Sequence, residues 1–132
     1  MKLIKEIRSK EGNLHFKRWQ ILKTRWFSIY LHGIYSEDKD KHLHNHPWDY
    51  TSIVLKGKYI EETPKGINKL YPGKIVSRNG LDYHKILKIE TKSVYTLFFV
   101  SNIKRHWGYL VNGEWVHHEI YRDRKRKGYY DN

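Results

Sequence analysis

Residues 42–49 read His42-Leu43-His44-Asn45-His46-Pro47-Trp48-Asp49. Three histidines alternate with other residues. In an extended backbone, residues two apart project to the same face and lie roughly 6.5 Å apart, near enough for two imidazoles to meet one ion. Pro47 biases His46 toward the extended region, because its ring clashes with a helical predecessor. A metal-binding reading therefore asks for a β framework around this stretch. The bland alternative is a polar loop whose histidines hydrogen-bond to neighbours.

The flanking sequence supplies that framework. Among 132 residues there is no alanine, the best helix former, while tyrosine, isoleucine, valine and tryptophan are plentiful. Strand-like runs occupy roughly 15–35, 50–62 with a bend at Gly57, 68–76, 84–90 and 93–101. The run Ser93-Val94-Tyr95-Thr96-Leu97-Phe98-Phe99-Val100-Ser101 is almost wholly apolar and β-prone, so it belongs in the centre of a sheet. Residues 106–111 and 114–121 flank Asn112-Gly113, a hairpin signal, since type I′ turns need positive φ at both central positions. Residues 1–10 place Leu3, Ile4 and Ile7 at helical spacing, compatible with a short helix or an edge strand. Eight or more short strands point to an all-β sandwich or barrel, with the double-sheet jelly roll among the candidates.

Composition bounds the rest. The length suits one domain. Without cysteine, disulfides, thiolate metal sites and thiol nucleophiles are excluded. No apolar run approaches the roughly 20 residues of a transmembrane helix, and the N-terminus is too charged for a signal peptide, so a cytoplasmic protein is expected. Lysine plus arginine exceed aspartate plus glutamate by 26 to 14, giving +12. Such a charge attracts polyanions. Only Arg122-Asp123-Arg124-Lys125-Arg126-Lys127 is dense. This places a domain over 1–121 and a solvated basic tail over 122–132, with weak nucleic-acid binding through surface and tail as one function.

A third metal ligand has to come from elsewhere, and His84 follows the Asn79-Gly80 turn at the mouth of a later strand. His44-x-His46, a strand ending at Gly57, a Pro72-Gly73 turn and then His84 resemble the two motifs of the cupin superfamily. More narrowly, His44-Asn45-His46-Pro47-Trp48, with Arg105-His106-Trp107-Gly108-Tyr109 and Gly113-Glu114-Trp115, resembles a group of small single-domain cupins frequently encoded by phages. The resemblance spans roughly 24–121. It implies a cupin-type double-stranded β-helix, a host-cytoplasmic location if phage-encoded, and dimerisation through edge strands. It also implies a three-histidine site of His44, His46 and His84 for Fe2+, Zn2+, Ni2+ or Mn2+. Many cupins add a glutamate seven residues before the glycine; that position is Tyr50, a poor ligand unless ionised. His42, by parity, or Asp49, if a bulge resets the parity, is the candidate fourth ligand.

Around these ligands, Trp48, Tyr50, Arg78, Arg105 and Trp107 are the candidate pocket residues. Tyr50 and Arg105 are the candidates for catalysis. An arginine can clamp a carboxylate or phosphate, or simply pair with an aspartate or glutamate. Three functions follow: a metal-dependent enzyme of oxygenase type acting on a small polar or anionic substrate, a non-catalytic module capturing a nucleotide or sugar phosphate, and nucleic-acid binding.

Overall fold

The computed structural model describes residues 1–38 and 40–131. Eleven strands are found there: β1 (Lys2–Arg8), β2 (Leu14–Lys23), β3 (Phe27–Ile34), β4 (Tyr50–Lys56), β5 (Tyr59–Thr63), β6 (Gly66–Leu70), β7 (Ile75–Arg78), β8 (Lys85–Ile89), β9 (Val94–Ser101), β10 (Gly108–Val111) and β11 (Glu114–His117). One helix, α1 (His118–Arg126), follows. A six-stranded antiparallel sheet has the order β1-β2-β3-β9-β4-β7. Strands β6-β5-β8 form a second sheet, and β10-β11 a hairpin. His44 bridges to His84 on one side and Tyr109 on the other, so the hairpin continues the second layer. The result is an all-β jelly roll.

Strand β9 lies at the centre of the large sheet, between β3 and β4, as its apolar run requires. Its even residues, Val94, Thr96, Phe98 and Val100, are buried. The main core packs Ile34, Val54 and Val94 of the large sheet against Tyr59 and Leu70 of the small one. A second cluster, Tyr50, Phe98 and Val100 with Tyr30 and Trp48, lies beside the histidines. Gly57, at φ +87°, separates β4 from β5. A side chain there would run into the Ser93 carbonyl, so the corner between sheets is reserved for glycine.

Of the two alternatives left open for the N-terminal segment, it takes the edge strand. Its helix-like spacing arises because the β1–β2 register slips between Leu3 and Lys5, and again before Arg8, which resets the side-chain parity. The final strand ends at His117, and α1 runs across the proposed boundary at residue 121. His117 Nδ1 accepts from the Glu119 N–H at the helix start, and basic Arg124, Lys125 and Arg126 sit in the last turn, where they complement the helix dipole. Tyr121 is 2% exposed and stacks on Tyr109 at 3.8 Å and Tyr130 at 4.6 Å. Lys125 also pairs with Asp40 at 2.5 Å. Residues 122–126 thus continue a helix anchored on the hairpin through Tyr121.

Candidate metal centre

His44, His46 and His84 come together: one ring nitrogen from each lies within 4.8 Å of the others. The first two do not sit in a regular strand. They are held extended by backbone pairing: His44 N–H donates to the His84 carbonyl at 3.0 Å and His84 N–H returns to the His44 carbonyl at 2.9 Å. His46 N–H donates to the Gly80 carbonyl at 3.0 Å. Between them Asn45 turns the other way and is 3% exposed. Its Oδ1 accepts from Gly108 N–H at 2.7 Å, while its own N–H donates to the Gly108 carbonyl. Asn45 thus fixes the alternation that aims both histidines inward.

Electrostatics suits metal ligation, which needs neutral imidazoles. Burial pulls His44 down to about 4, assisted by the charge of His84. Burial also holds His46 well below the ordinary range, with His84 and His44 acting in the same direction. Both rings are therefore neutral at physiological pH. His84 Nδ1 lies 2.8 Å from Glu61 Oε2. The carboxylate accepts a hydrogen bond from Nδ1–H, which leaves the Nε2 lone pair facing inward. There His46 Nε2 lies 2.7 Å away. Nitrogens brought this close share a proton, or open slightly around a cation with bonds of about 2.0–2.1 Å. The donor set fits a divalent transition metal.

Glu61 was invisible as a functional residue in the sequence. It is 2% exposed on β5, two residues after inward-facing Tyr59. Counting parity from Tyr59 is the signal that finds it. Arg78 clamps the same carboxylate through both Nη atoms, Nη2 reaching Oε1 at 2.5 Å. Burial pushes the Glu61 carboxyl up, but the hydrogen bonds from His84 and Arg78 prevail and hold it at about 2. The chain Arg78–Glu61–His84 is a fixed, charge-assisted relay of hydrogen bonds.

Neither candidate fourth ligand joins the three. His42 turns away to Tyr121, with Nδ1 2.9 Å from the phenol oxygen, and its ring packs on Tyr130. Asp49 accepts from Gly80 N–H at 2.8 Å and pairs with Lys104 and Arg105 at 3.1 and 3.2 Å. Tyr50 does line the site, its ring 5.1 Å from that of His46 and 5.9 Å from that of His84. Burial outweighs nearby Arg78 and raises its phenol to about 12, so the free phenol stays neutral.

Trp48 stacks on His46 at 4.9 Å and 9°, with Phe98 at its edge. Trp107 stacks flat on His118 at 4.5 Å and meets His44 edge-on at 6.4 Å. Arg105 takes the structural option, tied to Asp49 and 3.5 Å from the His46 carbonyl. A surface groove of about 630 Å³ lies on the outer face of the large sheet, lined by Trp26, Phe27, Thr51 and Phe99 and reaching Asp49, Tyr50 and Arg78.

No protein-family model matches this chain, and no curated protein matches it in sequence. Solved structures do match in shape. A sugar phosphate isomerase from a cupin superfamily, from Silicibacter pomeroyi, superposes with a TM-score of 0.56 at 17% identity, over 71% of this chain and 64% of its own. A cupin superfamily protein from Desulfitobacterium hafniense gives 0.55 at 11%, over 66% and 77%. FeII HppE gives 0.59 at 10%, over 73% and 55%. At such identities the likeness is one of fold, and the fold is that of a cupin.

Proposed function

We propose that this cupin holds one divalent transition ion on His44, His46 and His84 and is an enzyme acting on a small polar or anionic molecule. The observation that carries the reading is the Glu61–His84 hydrogen bond beside two neutral imidazoles, an outer-sphere arrangement of the kind that tunes metal ligands. The iron named for FeII HppE and the isomerase chemistry named for the Silicibacter protein lend support by fold analogy. The ion, of Fe2+, Zn2+, Ni2+ or Mn2+ type, supplies Lewis-acid or redox chemistry. The chain's own residues do the rest. Glu61 fixes the His84 tautomer and ring plane. Trp48, Tyr50 and Phe98 wall the site with aromatic surface that excludes water. Arg78 holds Glu61 in place rather than touching the substrate.

One observation favours ligand capture without turnover. Glu61 and Asp49 are both consumed by cations, Asp38 is bound to the Ile86 N–H and Asp40 to Tyr109 and Lys125, and Tyr50 is held protonated, so among these described residues no carboxylate is left free for proton transfer at the three histidines.

Elemental mass spectrometry of gently purified protein tests the reading. About one equivalent of transition metal is expected, lost in His44→Ala/His46→Ala. Absence of metal, with no uptake of Fe2+, Zn2+, Ni2+ or Mn2+ at neutral pH, removes the metalloenzyme and leaves capture.

A further inference from the structure

Three arginines stand near the histidines, and two are spoken for. Arg78 is neutralised by Glu61 and Arg105 by Asp49. Arg18 differs. Its side chain rises from β2 onto the inner face of the large sheet, in register with buried His32. Its Nε donates to His32 Nε2 at 3.0 Å. Its guanidinium lies over three rings, Tyr30 at 5.2 Å, Phe16 at 5.5 Å and Trp48 at 5.9 Å. Aromatic faces attract a cation but supply no counter-charge. Among the described residues, no carboxylate pairs with it.

The residue directly opposite on the β1–β2 ladder is Lys5. Like charges facing each other across strands destabilise a sheet, and a half-buried guanidinium without a counter-ion adds a desolvation cost. The fold thus holds two cations together where local energetics disfavours them. The ring under Arg18, Trp48, is the one stacked on His46. The cationic pair and the three histidines therefore flank one indole.

We propose that Arg18, backed by Lys5, seats the oxyanion of the small molecule handled at the three-histidine site, a phosphate or carboxylate group. With Nε on His32, the four N–H bonds of the two Nη atoms remain to hold oxygen atoms in the forked geometry that suits such groups. His32 sets the guanidinium plane. Burial drives the His32 imidazole well below its ordinary range, with the Arg18 charge acting likewise, so it stays a neutral acceptor. The class of substrate rests on the metal-site reading; the anion seat itself does not.

Inorganic phosphate and malonate, titrated calorimetrically at fixed ionic strength, are the probes. Binding of either is expected, weakened at least about tenfold by Arg18→Gln and less by Lys5→Gln. Without anion, Arg18→Gln should melt no lower than wild type, which a purely structural arginine would not allow. Lys5 is exposed on an edge strand, so Lys5→Gln carries the test should Arg18→Gln fail to fold. The probe that binds tells phosphate from carboxylate. His44→Ala/His46→Ala should lose metal yet keep the anion. Wild type that binds metal but neither anion, or anion binding unchanged in both charge variants, overturns the proposal while leaving the metal centre intact. Anion binding through Arg18 in a protein that takes up no metal upholds the seat and removes the metal reading alone.

Discussion

Glu61 Oε2 accepts from His84 Nδ1 at 2.8 Å while Arg78 grips both oxygens of the same carboxylate. A single buried acid thus sets the tautomer of the one metal-ligand candidate that comes from a distant part of the chain. Glu61→Gln preserves the shape but loses the charge and the second full acceptor. Metal affinity should fall about 10–100-fold. A competition titration against a chromophoric chelator reads this directly; unchanged affinity would show that Glu61 serves only Arg78.

Tyr50 borders the histidines, its ring 5.1 Å from that of His46. Its phenol is neutral, and its oxygen is 3.5 Å from Arg78 Nη1. Tyr50→Phe should therefore keep the full metal stoichiometry. Loss of the ion in that variant, measured by elemental analysis, would make Tyr50 a ligand after all.

Asp49 links the loop that follows His46 to Gly80 and Arg105. The Gly80 N–H, then the Lys104 ammonium and the Arg105 guanidinium, hold its carboxyl at about 2, below the usual value of about 3.9. A depressed carboxylate stabilises the fold above its unfolded pKa, and that contribution is lost as pH falls through the folded value. Urea unfolding of wild type and Asp49→Asn should show a gap that is constant above about pH 5. The gap should close between about pH 4 and pH 2. A gap independent of pH would mean that Asp49 acts by shape alone.

Tyr121 is the buried side of α1, stacked between Tyr109 and Tyr130 and bonded to His42. Tyr121→Ala should cost about 3–5 kcal/mol, as for other large-to-small changes at buried aromatic positions. Chemical denaturation checks it. A cost below about 1 kcal/mol would make the helix an appendage.

Much of this was legible because it depends on local rules. Asn112-Gly113 adopts φ of 51° and 81°, as a type I′ hairpin demands. Alternation of His44 and His46 about Asn45 shows through because period two is the signature of extended backbone. What stayed hidden depends on partners remote in sequence. Glu61 and Glu62 look alike in a polar strand end, and only the inward turn of Tyr59 separates them. Arg18 is one of 26 basic residues, and nothing local marks it as lacking an acid. The helix α1 carries so many charges that its one buried residue, Tyr121, gives no periodic stripe.

The position of β9 also governs when the molecule can come into being. Strands β3 and β4 have no ladder with each other; each pairs with β9, synthesised some forty residues or more after them. While β9 is still inside the ribosome, both wait with open edges and apolar faces, in competition with intermolecular pairing. Closing such distant pairings makes folding slow for a chain this short. A nascent chain arrested before residue 94 should therefore remain protease-sensitive. The full-length chain, once released, should acquire protection in a single step, as the late strand zips two early ones into a sheet.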